Sequence, residues 1–532
     1  MNRIERACSR LLRGNYRTDE QIRGRCASDM SIYTIVPAAV VQPADAGDIA
    51  ALLRFCTEQQ VPVTPRAGAS NTGGSAIGRG IVLLPIQPAD GASPPRAGAG
   101  SAAGARSDAA AVLKEHNDEL LVEAAAALRH DRLQRILLER GFHLPSDPSS
   151  GPLSCIGANV ATRASGAHAL RHGAIDRYLE SLVAVLPDGT RIDTAVADTI
   201  PARIRDGLSA IAARLRADSE AAQCIRRKQQ QKSASGYNLA ALLADSGPDI
   251  TALFAGSAGT LGVIETVRLR CPRKPADDGL LVLSFDSEAD ACDAVSAVRR
   301  TDPAACEILN AYCVQLLAEQ GIRFAETSGA MLVVEYSGDA PGSAAEAAHN
   351  AAGRLYGLTG ARTAIAVSGA EEQAAFWKVR KSMMLRLRRR ADGRSALSLV
   401  NDIGVPPQNL ERFLRAVTPI FSDRDIPLPI YGHAADGNLH LRPLFDTGDP
   451  GLAATLRAVA DQTYELALSL GGTITAEHGM GRLRAPYLRR EWGDTLYTAM
   501  REVKRLFDPA DILNSEAMFY EGDLLQFFRQ QE

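Results

Sequence analysis

Three segments of small residues, distributed through the first half of the chain, constrain its fold more than any other feature. They are PRAGASNTGGSAIG (Pro65–Gly78), SDPSSGPLSCIGANVATRASG (Ser146–Gly166) and FAGSAGTLGVIETVRLR (Phe254–Arg270). Turn chemistry alone needs fewer glycines and alanines, whereas a backbone that lies against a large planar ligand needs side chains small enough to admit it. The first segment follows a strand pattern and sets glycines among small hydroxyl residues, so its backbone N–H groups can turn inward as a nest for a pyrophosphate. Taken alone such a loop also reads as a plain turn. It contains neither GxGxxG nor GxxxxGK[ST], which excludes the usual strand–helix dinucleotide and nucleoside triphosphate loops.

At 532 residues the chain exceeds what one hydrophobic core sustains and should divide into at least two lobes. A net charge of -3 gives no reason to expect a nucleic-acid partner. Nine cysteines are scattered without a CxxC, which points to reduced thiols and offers no ligand set for an iron–sulfur cluster. The basic N-terminus MNRIERACSRLLRGNYR lacks an apolar core, and no stretch approaches eighteen apolar residues, so the expectation is a cytoplasmic protein without a membrane span.

The pattern alternates strand and helix: YTIVPAAVVQP as a strand, AGDIAALLRFCTEQQ as a helix, VPVTPRAG and IVLLPI as strands. Residues 88–118, rich in Ala, Gly and Pro, read as a flexible insertion. Strand and helix patterns resume with ELLVEAAAA and HDRLQRILLERG. A first lobe is expected over 1–272. A second, from 273 to 484, reads as an antiparallel sheet backed by helices, and a C-terminal helical segment spans 485–532.

After His349 the remaining histidines fall in two short motifs. YGHAADGNLHLRP reads as a hairpin with Asp436–Gly437 at its tip, a register that sets His433 opposite His440 on one face and sends Leu439 and Leu441 to the core. Paired imidazoles at that spacing either share a divalent ion or hydrogen-bond to each other, and the geometry leaves both readings open. In TITAEHGMG, Glu477 and His478 come at the end of a strand pattern beside glycines. Adjacent residues on a strand point to opposite sides, so both serve one site only if the backbone turns there. In AFWKVRKSMMLRLRRR, Arg380 shares the helical stripe of Phe376, Trp377, Met383, Met384 and Leu387. An inward guanidinium needs an anion, either a ligand carboxylate or an internal salt bridge. Arg386 and Arg388 to Arg390 read as a solvated face.

Taken in order, these motifs together with SGYNLAALL and VKRLFDPADILN resemble the FAD-dependent D-lactate and D-2-hydroxyglutarate dehydrogenases of the vanillyl-alcohol oxidase (PCMH-type) flavoprotein superfamily. The resemblance spans the chain apart from the insertion. It implies an α+β fold: a two-subdomain FAD-binding domain and a ferredoxin-like, antiparallel-sheet substrate cap. It places Arg66, Ala67, Gly68, Ala69, Ser70, Asn71, Gly73 and Gly74 at the pyrophosphate, with Ser149, Ser150, Gly157, Ala158, Ala161, Gly166, Gly262, Val263 and Ile264 around the rest of FAD. It further implies His433, His440 and Glu477 as ligands of a divalent metal, zinc or manganese, His478 as the general base, and Arg380 as the clamp on the substrate carboxylate. An open three-ligand site suits a Lewis acid that holds a hydroxyl and a carboxylate together. Ala258 stands where such proteins usually carry glutamate, and Val400 and Asn401 where some place a further substrate contact. The C-terminal iron–sulfur domain of some relatives has no counterpart here.

The expected activity is oxidation of a small D-2-hydroxy acid, lactate- or 2-hydroxyglutarate-like. An oxygen-using oxidase of the same fold and a non-catalytic flavin-binding subunit are the alternatives. The electron acceptor (electron-transfer flavoprotein, quinone, cytochrome or oxygen) and a homodimeric state stay open.

Overall fold

A computed structural model describes residues 3–86, 110–116, 118–322, 329–367, 369–388 and 393–528. Three sheets carry the architecture. The first is small and mixed, ordered Asn15–Arg17, Ala39–Gln42, Ile81–Leu83, Val63–Pro65, with parallel pairing among its last three strands. Helix Ala46–Gln59 covers it, started by the Asp45 carboxylate, which accepts from Asp48 N, and ended at Gln60 in the left-handed region. The predicted strand over Tyr33–Pro43 shortens to Ala39–Gln42. Pro37 has no N–H to give a ladder, and the residues before it make only isolated bridges.

The second sheet is antiparallel, ordered Ala110–Glu115, Glu119–Ala125, Val263–Pro272, Leu179–Val185, Arg191–Asp193. Its edge strand corrects the limits of the insertion. Residues 110–115 pair with Leu120–Ala124, so the expected flexible stretch ends before them, and residues 87–109 lie outside the described residues.

The third sheet has seven antiparallel strands, ordered Thr363–Val367, Asp277–Phe285, Ala330–Gly338, Ala305–Leu309, Ile430–His433, Asn438–Leu441, Ile403–Gly404. Its central strands carry near-continuous apolar runs because both faces are covered. Leu281, Leu283, Leu332 and Val334 pack with the Ala-rich helices Glu288–Arg299 and Ser343–Thr359. Leu280, Val282, Met331 and Val333 pack with Ala311–Glu319 and with Phe376, Val379, Met383 and Leu387 of helix Ala370–Arg388. Each fully buried Leu or Val on these faces stabilises the fold by about 1.5–3 kcal/mol.

The C-terminal segment returns to the first lobe. In the last turn of helix Ala485–Phe507, kinked at Gly493, the buried Lys504 ammonium donates to Thr260 O (2.9 Å) and Leu513 O (2.8 Å). The Asn514 amide then donates to Ser75 O and Ala258 O, both at 2.8 Å, and so ties the first and third small-residue loops together. Between the lobes, the His168 imidazole is clamped by Asp147 on one side (2.9 Å) and Glu335 on the other, and Trp377 Nε1 donates to Glu335 at 2.6 Å. Among the described residues no helix is long and apolar enough to cross a membrane.

Candidate active site

One cavity runs from the first sheet to the end of the cap sheet, and the three small-residue segments line it together. Arg66 to Asn71, Ser149, Ser150, Gly157, Ala158, Ala161, Gly166 and Gly262 to Ile264 all face it. Gly73 and Gly74 do not. They lie behind the loop, where a Cβ on Gly73 would meet Arg484 at 2.7 Å and one on Gly74 would meet the Tyr33 ring at 2.7 Å. Their smallness serves packing rather than ligand contact.

The first loop is built to hold an anion through its backbone. The Arg66 guanidinium is bonded to the carbonyls of Ser28 (2.9 Å), Ala76 (3.0 Å) and Cys26 (3.3 Å), so it fastens the loop. Beyond it the N–H groups of residues 67–72 are bonded to no other described group, and Ala69 sits at φ 53°, which turns consecutive N–H groups to one side. Gly68 allows this loop to touch the second segment: a Cβ there would fall 2.0 Å from Leu153 O. Gly157 lets helix Ile156–Thr162 press on Ala126, where an added Cβ would lie at 2.5 Å. Ala258, left-handed at φ 53°, donates its N–H to Ala161 O at 2.7 Å and closes the third loop over the same helix. A Gly68→Val variant is expected to overpack this junction at about 1–3 kcal/mol. Flavin affinity should fall about 10- to 100-fold, read as the flavin-to-protein ratio after dialysis.

At the far end of the cavity the hairpin takes a different register from the one the Asp436–Gly437 turn suggests. Residues 434–437 form a four-residue loop with a 3-10 turn, so His433 opposes Asn438 and His440 opposes Tyr431. The slip is two residues, one full pleat period, so His433 and His440 still share a face. They meet diagonally, rings 5.1 Å apart and perpendicular. Leu439 and Leu441 are buried on the opposite face, as expected.

Glu477 and His478 reach the same cavity because the chain bends there instead of continuing a strand. Asp402 makes the bend. Its buried Oδ2 accepts from the N–H of Glu477 (3.0 Å), the N–H of His478 (2.8 Å) and the Thr475 hydroxyl (2.6 Å), while Oδ1 accepts from Asn438 Nδ2 at 3.0 Å. Three imidazole Nε2 atoms then surround Glu477 Oε1: His433 and His440 at 3.3 Å and His478 at 3.8 Å. The other carboxylate oxygen is held by the Lys232 ammonium at 2.8 Å and the Ser165 hydroxyl at 3.2 Å.

Outer partners fix the tautomers. His433 Nδ1 is bonded to Glu307, and His440 Nδ1 donates to Asn401 O at 3.2 Å, so both rings turn Nε2 toward Glu477. At His433, burial would lower the pKa, but the Glu307 and Glu477 carboxylates outweigh it and raise it to about 9, so the position favours positive charge. His478, stacked on His440 at 5.2 Å, is pushed down to about 3 by burial against the pull of Asp402, which leaves its imidazole neutral. Ligand atoms of Asp402, His440, Glu477 and His478 lie within 4.8 Å of one another, a grouping that could hold a divalent cation. The expected ligand His433 is outside that grouping, although its Nε2 stands 3.3 Å from Glu477 Oε1.

Arg380 lines the cavity, yet it meets the alternative expectation as well: Nε and Nη2 both bond the Glu307 carboxylate, and the guanidinium lies 4.5 Å from the Tyr431 ring centroid. Five residues of this constellation escape sequence reasoning: Asp402, Glu307, Lys232, Tyr431 and Arg442. For two a signal exists. Asp402 and Glu307 are acidic residues inside the apolar runs SLVNDIGVP and ACEIL, where a buried charge needs a reason.

Residues 37–87 and 107–195 match the FAD binding domain family, and residues 274–517 match the FAD linked oxidases, C-terminal domain. The chain carries an FAD binding domain followed by the C-terminal domain of FAD linked oxidases. The gap in the first match falls within the Ala/Gly/Pro-rich stretch. The chain is 25% identical to glycolate oxidase subunit GlcD of Bacillus subtilis, over 92% of its own length and 90% of that protein. It is 29% identical to D-lactate dehydrogenase of Archaeoglobus fulgidus, over 89% and 90%. With D-2-hydroxyglutarate dehydrogenase of Escherichia coli it shares 24% identity over 94% of its length, but it spans only 50% of that longer protein. The fold is that of p-cresol methylhydroxylase, at a TM-score of 0.65, 12% identity, and 96% and 95% coverage. FAD is therefore the cofactor, and the protein is a flavin oxidoreductase of the D-lactate/D-2-hydroxyglutarate dehydrogenase type.

Proposed function

We propose that this flavin oxidoreductase oxidises a D-2-hydroxy acid to the 2-oxo acid, with His433, His440 and Glu477 holding a divalent metal and His478 acting as the base. The observation that carries this reading is the convergence of His433 and His440 Nε2 on Glu477 Oε1, with both Nδ1 atoms already bound from behind. A zinc or manganese ion bound there supplies Lewis acidity toward a hydroxyl and a carboxylate, and FAD supplies the hydride acceptor.

The chain's own residues do the rest. Asp402 lies 3.8 Å from His478 Nδ1, and Glu477 equally 3.8 Å from His478 Nε2. With Glu477 committed to a metal, Asp402 would favour the proton on Nδ1 and leave the Nε2 lone pair facing the cavity. His478 Nε2 takes the hydroxyl proton as the substrate carbon gives up its hydride. Lys232 and Ser165 keep Glu477 from rotating away. Leu153, Met384 and Leu385 frame the cavity mouth with apolar surface. Preference for the D enantiomer is supported by the names of the D-lactate and D-2-hydroxyglutarate relatives.

Anaerobic titration of the FAD-loaded protein with both enantiomers of short 2-hydroxy acids tests this reading. Bleaching of the yellow flavin band by a D acid, with the L acid inert, is the expected result. A flavin that stays oxidised with every acid of either hand rules the activity out. Oxygen uptake during turnover then tells an oxidase from a dehydrogenase.

A further inference from the structure

Two arginines face the substrate end of the cavity, and their electrostatic situations differ. Arg380, 5% exposed, has its charge compensated by Glu307. Arg442, 4% exposed, has no carboxylate within salt-bridge distance among the described residues; its only side-chain hydrogen bond there runs from Nε to the Tyr431 hydroxyl at 3.1 Å. A buried guanidinium without an anion costs several kcal/mol. Arg484, fully buried and also without a carboxylate, offsets this with three acceptors, Gly479 O, Thr72 Oγ1 and Asn401 Oδ1, whereas Arg442 lines the cavity with one. Tyr431 accepts from Arg442, so its own O–H remains available to the same ligand.

The position of Arg442 says which part of the ligand it reads. It follows strand Asn438–Leu441 two residues after His440, and its N–H continues the ladder to Pro429 O, so its side chain shares the face of His440. Two residues of strand amount to about 6.8 Å. From the base outward, His478 lies 5.2 Å from the His440 ring, His440 lies 5.3 Å from the Tyr431 ring, and Tyr431 lies 5.8 Å from the Arg442 guanidinium. The His440 and Tyr431 rings thus stand between Arg442 and the base, while Arg380, on the same Tyr431 ring at 4.5 Å, is tied through Glu307 to His433.

Resting on the activity proposed above, we infer that Arg442 and the Tyr431 hydroxyl form a receptor for a second acidic group, and that the substrate is a 2-hydroxy dicarboxylic acid of four or five carbons. A monoacid with a methyl or ethyl tail leaves the Arg442 charge buried without a partner. The arrangement thus selects against lactate-like acids as well as for diacids.

Equilibrium binding of two non-reacting anions to the FAD-loaded protein, glutarate and butyrate, tests the receptor without any turnover. The wild type is expected to hold glutarate about 100-fold tighter, and Arg442→Met to remove most of that gap. Arg442→Lys keeps the charge without the fork and should recover only part of it. Under anaerobic flavin reduction, the ratio of kcat/KM for D-2-hydroxyglutarate over D-2-hydroxybutyrate should fall by the same factor in Arg442→Met. The thermal midpoint of that variant should match or exceed the wild type, since removing an uncompensated charge relieves the fold, whereas a purely structural arginine would lower it. Equal binding of the two anions by the wild type overturns the inference, as does an equal loss of both in Arg442→Met, which would place the reacting carboxylate at Arg442. Selective glutarate binding in a protein whose flavin no hydroxy acid reduces would instead keep the receptor and remove the activity.

Discussion

His478→Gln is expected to lower kcat about 1000-fold, within the range for loss of a positioned general base, while KM and flavin content stay near wild type. Glutamine keeps a polar side chain of comparable reach but has no lone pair basic enough to take a hydroxyl proton. The imidazole it replaces is neutral because burial holds its pKa near 3, and its orientation comes from Asp402 and from stacking on His440. Stopped-flow reduction of the flavin under anaerobic conditions isolates this step from reoxidation. A reduction rate within a factor of about ten of the wild type, well short of the usual contribution of a base, would assign proton removal elsewhere.

Glu477→Gln should act on stability, metal content and turnover at once. Glu477 is the carboxylate to which Lys232 is paired at 2.8 Å, and Asp436, at 3.7 Å, is the nearest substitute. Breaking a buried pair from one side costs about 3–5 kcal/mol, so the midpoint of denaturant unfolding should drop visibly. The amide is also a poor metal ligand, and affinity for zinc or manganese should fall by at least about 100-fold. Wild-type protein stripped with a chelator is expected to lose flavin reduction and regain it on adding back the metal, whereas the variant stays inactive after the same addition. If stripped wild-type protein still bleaches at its original rate, the metal role of His433, His440 and Glu477 is wrong.

Asp402 connects these two expectations. One carboxylate oxygen accepts from Thr475 and from the N–H of both Glu477 and His478, which lets neighbouring residues project into one cavity. Sequence reasoning stated the condition, that the backbone must turn at this point, but the agent of the turn lies 75 positions upstream of Glu477. The hairpin shows the complementary case. Its register differs by two residues from the one an Asp436–Gly437 tip implies, and His433 and His440 still share a face because an even slip preserves the pleat. A slip of one residue would have sent one imidazole into the Leu439–Leu441 core.

Arg380 and Arg442 show where local pattern runs out. The stripe Phe376, Trp377, Met383, Met384 and Leu387 turns Arg380 inward, and Arg380 is buried with Phe376, Met383 and Leu387 while Trp377 and Met384 stay half-buried, since helical periodicity is a property of consecutive residues. Whether its charge is free depends on Glu307, on a strand of the cap sheet, and of the two arginines at the substrate end only Arg442 lacks a carboxylate partner among the described residues.

What the chain determines locally is the small-residue loops, the apolar runs of the cap sheet, the two histidine motifs and the inward face of one helix, because each follows from side-chain size or from spacings of two and of three to four residues. Only the tertiary structure decides which charges find partners, that Gly73 and Gly74 lie behind the loop while residues 67–72 line the cavity, and that Asp402, Glu307 and Lys232 hold His433, Glu477 and His478 in place. Those outcomes depend on hydrogen bonds and ion pairs between residues tens to hundreds of positions apart, and no periodicity in the sequence encodes such distances.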